Sequence, residues 1–287
     1  MAVAPAGRSS RRLWRPVAVA CCLVWTLTSL AGASAARRLT GPAGDLTRPS
    51  LRTLQLNLCG SGIARCYTGR SVGVAADVIR AERPDIVTLN EVCRDDVSVL
   101  ERAMPNTHRD GVVASAFEAV GDRRSDAAVR CRNGQPYGIG LLARVGSATS
   151  EHRTFTGVYP FQDANDTEDR VWLCLHAGAA FYACTTHLAS TSAAVALRQC
   201  RYLLDTAIPA MRARGGQGRL VLGADLNLRS GGSSDVRSCL PPGYRHADDG
   251  ARQHVVASAE FTVSSRTSIT MRGTTDHPGL LVDLASG

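Results

Sequence analysis

The sequence predicts an α+β fold built on mixed β-sheets. Strand and helix patterns alternate over residues 51–92, where a strand, a helix and a second strand follow one another. Residues 170–188, however, have the pattern of a hairpin with no helix between its strands. Hairpins combined with partial alternation predict sheets of mixed direction rather than a doubly wound parallel sheet. With 287 residues, the chain can form one large domain or two small ones with a sizeable core.

The first 35 residues have the features of an export signal. Four arginines between positions 8 and 15 precede an apolar run from Val17 to Ala31, and Ala33-Ser34-Ala35 is a small-residue cleavage site. The run is too short for a membrane anchor. We therefore expect export by the Sec or twin-arginine route, a flexible arm over residues 36–50, and a folded domain over residues 51–287.

The charge of the chain does not by itself indicate a partner. All 33 basic side chains are arginine, and the formal net charge is +8. The expected signal carries four of these arginines and no acidic residue, so the mature chain has a charge of +4. This mild basicity gives no specific indication of nucleic-acid binding.

Eight cysteines lie outside the expected signal, an even number that favours disulfides in an exported chain. They contain no C-x-x-C pair, which argues against a zinc site. Two pairings close short loops and are sterically easy, and elimination leaves two more. The expected pairs are Cys59 with Cys66, Cys174 with Cys184, Cys93 with Cys131, and Cys200 with Cys239.

Three elements open the domain. The leucines of residues 51–58 partly alternate and predict a strand that ends near Asn57. Apolar residues from 72 to 79 recur at helical spacing and predict a helix that Pro84 ends. The stretch DIVTLNEV, residues 85–92, predicts the second strand.

The later elements are mostly strands. YGIGLLAR, residues 137–144, is strand-like, and residues 170–188 predict a hairpin. A helix with Thr191 or Ser192 as its N-cap then leads into the strand within GRLVLGADLNLR, residues 218–229. Further strands are expected at 255–263 and 268–271, before the closing segment TTDHPGLLVDL.

Polar side chains stand at the ends of these strands: Asn57, Glu91, His187, Asp225, Asn227, Asp276 and His277. Each has an ordinary alternative role, such as a turn cap, a solvated charge or a satisfied core histidine. Together they fit the hydrolysis of a phosphate ester, which requires charge neutralisation and an activated water.

The residue types indicate how such a reaction would be divided among them. Glu91 suits Mg²⁺ or Mn²⁺, which take one or two protein carboxylates. Asp225 and Asn227 share a face of their strand. We expect the carboxylate of Asp225 to contact the water or the metal, and the neutral amide of Asn227 to contact the phosphate. His277 can act as a base near neutral pH, and His187 as a phosphate ligand or general acid.

Six stretches carry a resemblance to a known family: LNLCG, DIVTLNEV, YGIGLLAR, TTHLAS, GADLNLR and TDHPGLLVDL. Their order and approximate spacing resemble those of the endonuclease/exonuclease/phosphatase superfamily, the deoxyribonuclease I-like metal-dependent phosphodiesterases, in a secreted bacterial-type form. The similarity covers about residues 51–285 and implies that residues 51–287 are the catalytic domain. It also implies a four-layer α/β/β/α sandwich, in which two packed mixed β-sheets are flanked by helices and the site lies at one edge.

The resemblance also implies roles for individual residues. It places the metal, Mg²⁺ with Mn²⁺ or Ca²⁺ as alternatives, on Glu91 with help from Asn57. The implied catalytic residues are His187, Asp225, Asn227, Asp276 and His277. Tyr137, Arg144 and Arg170 are further candidates for substrate binding alongside Asn227. Asn90 and Thr275 stand where Gln and Ser are frequent in the family, a departure that affects the expected substrate more than the activity.

Three functions remain open at this point. The first is an exported nuclease for DNA or RNA, with a basic loop that carries Arg123, Arg124, Arg130 and Arg132. The second is a sphingomyelinase-like or small-molecule phosphodiesterase or phosphatase, which could approach membrane phospholipid through the turn at residues 177–180. The third is a non-catalytic secreted binding protein. In each case we expect a monomer with no obligate protein partner.

Overall fold

The computed structural model describes residues 50–104, 112–145, 152–177 and 181–287. The expected export signal over residues 1–35 lies outside the described residues, as does the arm up to residue 49. Within the described ranges, no helix has both the length and the apolar character that a membrane crossing requires.

The described part of the chain consists mainly of strands. These are β1 Ser50–Asn57, β2 Ile86–Cys93, β3 Val112–Ala119, β4 Gly121–Asp122, β5 Ala127–Ala128, β6 Tyr137–Val145, β7 His152–Val158, β8 Val171–Ala177, β9 Phe181–His187, β10 Arg219–Asp225, β11 Arg245–Asp248, β12 Gln253–Ala257, β13 Phe261–Ile269 and β14 Gly279–Ser286. The helices are α1 Ser71–Glu82, α2 Arg94–Ala103, α3 Ala193–Tyr202 and α4 Ile208–Gly215. A π-helical turn, Leu203–Ala207, joins α3 to α4, and a 3₁₀ turn, Val236–Cys239, precedes β11.

The strands form two six-stranded sheets of mixed direction and a small ribbon of β4 and β5. The first sheet has the order β13-β14-β1-β2-β6-β3, and the second has the order β11-β12-β10-β9-β8-β7. In each sheet one central pair is parallel, β1 with β2 and β9 with β10, and the other pairs are antiparallel. Helical crossovers join both parallel pairs, α1 in the first case and α3 with α4 in the second.

Three apolar cores formed by the described residues hold the layers together. One lies between the two sheets and includes Ile139 and Leu173. A second joins α1 and α2 to the outer face of the first sheet, and a third joins α3 and α4 to the outer face of the second. This arrangement confirms the expected four-layer sandwich.

Several elements differ from the sequence-based expectation. The single strand predicted at 255–263 is wrong, because the chain turns after Ser258 and divides the segment between β12 and β13. The sequence analysis did not predict α2 or the edge strands β3, β7 and β11. An edge strand such as β7 is exposed at most positions and has no run of apolar residues to reveal it.

Four disulfides link the described cysteines, in the pairs Cys59–Cys66, Cys93–Cys131, Cys174–Cys184 and Cys200–Cys239. These are the four pairings that the sequence analysis favoured. Cys174 and Cys184 lie directly opposite each other on β8 and β9, as the hairpin requires. A set of four disulfides fits a protein of an oxidising, extracellular compartment.

Gly223, in the middle of β10, lets the two sheets approach each other. A Cβ atom at this position would lie 2.2 Å from Oγ1 of Thr88 in β2, a residue that is itself fully buried. We expect Gly223→Ala to lower the free energy of unfolding by about 1–3 kcal/mol, the usual cost of overpacking. Urea unfolding followed by circular dichroism measures this change.

Gly73→Ala is the matched control, because a Cβ on Gly73 of α1 meets nothing within 4 Å. This variant should be as stable as the parent or more stable by up to about 1 kcal/mol, the helical preference for alanine over glycine. Equal stability of Gly223→Ala and the parent would contradict the close approach at Thr88.

Candidate active site

The two parallel strand pairs end at the same edge of the sandwich. In the first sheet, Asn57 at the end of β1 is in register with Asn90 of β2. In the second sheet, His187 at the end of β9 is in register with Asp225 at the end of β10. The fold thus brings together residues that are far apart in the sequence.

Asn57 connects the two sheets at this edge. Its Nδ2 donates to Oε1 of Glu91 at 2.8 Å and to Oδ2 of Asp225 at 3.1 Å. Its Oδ1 accepts the backbone N–H of Cys59 at 3.1 Å. The amide oxygen therefore accepts a bond from the backbone, and the expectation that Asn57 helps to bind the metal stays a prediction. In this arrangement Asn57 orients the two carboxylates.

The backbone at Glu91 and Asn227 adopts a conformation that non-glycine residues rarely use. Their φ angles are +54° and +50°, and Glu91 lies at a bulge between Leu89 and Val92 of β2. The bulge turns the Glu91 side chain toward Asn57 and the cleft. Such strained residues concentrate at functional sites, where the surrounding structure holds them in place.

Asp225 is 1% exposed and is held by neutral donors. Besides the bond from Asn57, its Oδ2 accepts Nε2 of Gln253 at 2.7 Å, and its backbone N–H donates to Oδ1 of Asn90 at 2.7 Å. Burial opposes ionisation of Asp225, but the nearby imidazoles of His187 and His277 and the bond from Asn57 outweigh it, so its pKa is lowered. We call Asn57, Glu91, Asp225 and Gln253 the amide–carboxylate cluster.

A buried polar network between the sheets supports this cluster. Gln55 donates through Nε2 to Oδ1 of Asn90 at 2.7 Å and to Oε1 of Gln253 at 3.0 Å, and its own Oε1 accepts the hydroxyl of Thr88. Sequence reasoning missed Gln55 and Gln253. The available signal for Gln55 was an amide side chain between two leucines, and that for Gln253 was an amide directly before the segment HVVA.

Asp276 and His277 lie in the loop that leads into β14. Nε2 of His277 is 3.6 Å from Oδ2 of Asp225 and 3.8 Å from Oδ1 of Asp276. The preceding Thr275 donates its hydroxyl to the backbone carbonyl of Asn57 at 3.0 Å and so anchors the loop to β1. His277 therefore faces the cluster, while Asp276 is half exposed at its rim.

Asn227 and His187 present groups that suit a phosphate. Nδ2 of Asn227 donates to the carbonyl of Leu188 at 3.0 Å, and its Oδ1 accepts Nη1 of Arg252 at 2.8 Å. Because both ends of the amide are held, its orientation is fixed. His187 is 8% exposed, and burial together with the positive charge of Arg170 lowers its pKa to about 3, so the ring is neutral near pH 7.

A cleft of about 630 Å³ is lined by Glu91, His187, Asp225, Asn227, Asp276 and His277. Tyr137 and Arg170 also line it, as the sequence analysis expected, but Arg170 is paired with Asp166 at 2.5 Å and with Glu168 at 3.3 Å. Burial raises the pKa of Glu168 to about 7, against the opposing effect of Arg170. Asp166 and Glu168 were not identified from the sequence. The signal available was the acidic run DANDTED, residues 163–169.

Some predicted substrate-binding groups are not at the cleft. Arg144 lies at the opposite end of β6 from Tyr137, where its Nε donates to the carbonyl of Pro84 at 3.1 Å, so its assignment to substrate binding is corrected. In the basic loop, Arg123 and Arg124 pair with Asp169 and Asp122, whereas Arg130 is exposed and lines the cleft. Arg132 packs against the backbone of Gly62 and does not line the cleft.

The donor set of the cleft fits a hard divalent cation. Glu91, Asp225 and Asp276 all line the cleft and offer carboxylate oxygens, the ligands that Mg²⁺, Mn²⁺ and Ca²⁺ prefer. Burial, together with the negative charges of Asp225 and Asp276, raises the pKa of Glu91 against the hydrogen bond from Asn57. A bound cation would relieve this repulsion.

Comparisons with known proteins identify the family of this chain and agree with its fold. A family model described as "Endonuclease/Exonuclease/phosphatase family" matches residues 54–277. A comparison with curated protein sequences gave no match. Three similar solved structures share the fold, although their sequence identities to this chain are low.

The first is an endonuclease/exonuclease/phosphatase family protein from Bacteroides thetaiotaomicron, with 13% identity and a TM-score of 0.61 over 83% of this chain and 96% of that chain. The second is the human Nocturnin catalytic domain with bound sulfate, with 15% identity and a TM-score of 0.59. The match covers 84% of this chain and 96% of that chain. The third is a mannosyl-6-phosphatase from Bacteroides thetaiotaomicron, with 14% identity and a TM-score of 0.57. The match covers 82% of this chain and 99% of that chain.

The neutral state of His187 can be tested directly. Since burial lowers its pKa from 6.5 to about 3, the ring should not take up a proton between about pH 8 and pH 5. Long-range ¹H–¹⁵N NMR of the ring nitrogens, assigned with a His187→Gln variant, measures this. A titration centred near 6.5 would contradict the burial argument.

Proposed function

We propose that this protein hydrolyses phosphate esters with the help of a divalent metal ion. The chain belongs to the endonuclease/exonuclease/phosphatase family, whose members are typically phosphoesterases. The observation that carries the proposal is the amide–carboxylate cluster with His277 3.6 Å from Asp225. Anionic oxygens, a histidine and neutral amide donors in one cleft are what metal-assisted hydrolysis of a phosphate ester requires.

Glu91 is the residue that would hold the cation, with Asp225 and Asp276 beside it. Mg²⁺ suits this set because it takes one or two protein carboxylates and keeps several waters, and Mn²⁺ and Ca²⁺ are the alternatives. A divalent ion supplies neutralisation of the phosphate charge. Asn57 contributes by holding the Glu91 and Asp225 carboxylates in a fixed relation, since it donates to both.

The chain's own residues would orient the attacking water. Asp225 is anionic and fixed by Asn57 and Gln253, so its carboxylate can accept a hydrogen bond from the water and take up its proton. His277 lies within reach of the same carboxylate and can exchange a proton with it or contact a phosphate oxygen. Asp276 provides a further negative charge at the rim.

His187 and Asn227 would bind the phosphate as neutral donors. The amide of Asn227 is fixed by Leu188 and Arg252, and the neutral ring of His187 carries one N–H. The lowered pKa of His187 favours the role of phosphate ligand over that of general acid, because an imidazolium would be scarce near pH 7. Neutral donors can contact an anion without adding charge that must be desolvated.

For the substrate class we propose a phosphodiester, with DNA or RNA as the first candidates. The support is Arg130, an exposed cation at the cleft that can contact a neighbouring phosphate. The basic track is short, because Arg123 and Arg124 are already paired. The second candidate is a phospholipid or small phosphate ester, favoured by Ile63, which is 71% exposed and lines the same cleft.

We propose that the enzyme acts outside the cell as a monomer without an obligate protein partner. Four disulfides fit an oxidising compartment, and residues 1–35 have the sequence features of a signal peptide that is removed on export. A non-catalytic binding protein is the remaining alternative, and the activity measurements below separate it from an enzyme.

Metal removal and two substitutions test the activity. A chelator should abolish hydrolysis of DNA or of an aryl phosphodiester, and added Mg²⁺ or Mn²⁺ should restore it. Glu91→Gln and His277→Ala should each lower kcat at least about 100-fold, because the first removes the proposed metal ligand and the second a proposed proton-transfer or phosphate-binding group. Circular dichroism should show an intact fold.

Glu82→Gln, at the partly exposed end of α1, is the matched control and should keep full activity. Full turnover by the double variant Glu91→Gln/His277→Ala would show that the chemistry lies elsewhere. Absence of turnover on DNA, RNA, phospholipid and aryl phosphoesters with every metal would favour the binding protein.

A comparison of Arg130→Ala with Arg124→Ala tests the substrate class. If a polynucleotide contacts Arg130, its loss should raise KM for DNA or RNA about tenfold at low salt, because roughly one phosphate contact is lost. KM for a small aryl diester should stay unchanged. Arg124 is exposed on the same loop but outside the cleft, so its substitution should change neither KM. Equal effects on both substrates would favour a small phosphate ester.

A further inference from the structure

A second cluster of potential metal ligands lies on the strands behind the cleft. His246 and Asp248 occupy one face of β11, and His254 of β12 is paired in register with Asp248. Their ligand atoms all lie within 4.8 Å of one another, and none of the three residues lines the cleft. We propose that these residues form a binding site for a transition-metal ion of the Zn²⁺ class, separate from the catalytic cation.

The hydrogen bonds of His254 leave one ring nitrogen ready to bind a metal. Nε2 of His254 lies 3.1 Å from the backbone carbonyl of Leu228, which can only accept, so Nε2 carries the proton. Nδ1 then carries the lone pair. It points at Nε2 of His246, 2.9 Å away. A backbone carbonyl on the other ring nitrogen is the usual outer partner of a metal-bound histidine.

The spacing of the two histidines fits a shared ion. For an ion about 2.1 Å from both nitrogens, the N–ion–N angle would be roughly 90°, which is within the range of metal coordination. Without an ion, the same spacing is that of a hydrogen bond in which His246 donates. Metal binding at this position would replace the proton that His246 donates, and both rings would turn so that their lone pairs meet at the ion.

Asp248 supplies an oxygen on the same side. Its Oδ2 lies 3.9 Å from Nε2 of His246 and accepts a hydrogen bond from the hydroxyl of Ser230. Its Oδ1 accepts hydrogen bonds from the backbone N–H of Gly250 at 3.0 Å and from Nη1 of Arg266 at 3.2 Å. These bonds fix the carboxylate with Oδ2 toward the histidines. Because His246 and Asp248 are only partly buried, an ion could enter from solvent and keep a water ligand.

The donor set selects the class of metal. Two imidazoles and one carboxylate favour Zn²⁺, Co²⁺, Ni²⁺ or Cu²⁺, whereas Mg²⁺ and Ca²⁺ prefer oxygen ligands. The two cation sites should therefore differ in preference, with oxygen-bound Mg²⁺ at Glu91 and a nitrogen-bound ion here.

An ion at this site would connect two segments that support the cleft. Leu228 and Ser230 belong to the loop directly after Asn227, and His254 directly follows Gln253 of the amide–carboxylate cluster. The ion would hold this loop against β11 and β12. The function that we infer is therefore structural, a brace for the position of Asn227.

Cobalt binding to the full chain tests the proposal. In the Glu91→Gln background, where the catalytic anchor is removed, chelator-treated protein should bind one equivalent of Co²⁺ with visible d–d absorption, and Zn²⁺ should displace it. Adding His246→Gln or Asp248→Asn to that background should weaken binding at least about tenfold, because each removes a ligand. Adding His152→Gln, which changes an exposed histidine of β7, should leave binding unchanged.

Thermal unfolding gives a second measurement, since a bound ion stabilises the folded state. Zn²⁺ should raise Tm in the Glu91→Gln background, and the rise should disappear with Asp248→Asn. If His246→Gln fails to fold, the Asp248→Asn variant decides the result. Absence of bound Co²⁺, or binding unaffected by either ligand substitution, would show that the histidines are an ordinary hydrogen-bonded pair. Neither result would affect the proposed phosphoesterase, which depends on Glu91.

Discussion

The buried carboxylate of Asp225, which accepts its side-chain hydrogen bonds from the amides of Asn57 and Gln253 and faces His277, is the group on which the site depends. A buried charge is costly unless it is paired or hydrogen-bonded, and an arginine would be the common solution. Here Asn57 and Gln253 donate to the same oxygen from the two sheets, and neutral donors fix a carboxylate without cancelling its charge. Asp225 therefore remains anionic and available to a cation or a water, while the same bonds join the sheets.

The fold supplies this arrangement through its two parallel strand pairs. Each pair ends at the cleft edge, and the approach of the sheets at Gly223 brings the ends within hydrogen-bond distance. Two of the disulfides begin two residues after site residues, at Cys59 after Asn57 and at Cys93 after Glu91. Fixing the chain there counters the unfavourable positive φ of Glu91 and limits movement of its side chain.

The sequence predicted the residues at strand ends well, because a polar side chain that follows an apolar strand is visible locally. The sequence did not identify site residues whose place in the cleft depends on which strands pair. Gln253 became part of the site only because β12 pairs antiparallel with β10, which places it opposite Asp225. The assignment of Arg144 to substrate binding was wrong because the motif identifies the strand β6 but does not show which end of that strand faces the cleft. Glu168 belongs to a loop, and loops have no period that fixes their direction.

We propose that Glu91 and Asp225, oriented by Asn57, hold one divalent cation at the strand ends. A crystal structure of the protein soaked in Mn²⁺ tests it most directly, because anomalous scattering locates the ion independently of any assay. We predict an anomalous peak about 2.2 Å from a carboxylate oxygen of Glu91, within reach of Asp225 directly or through one water. An ordered Mn²⁺ ion elsewhere, with the Glu91 carboxylate bare or turned out of the cleft, would contradict the claim.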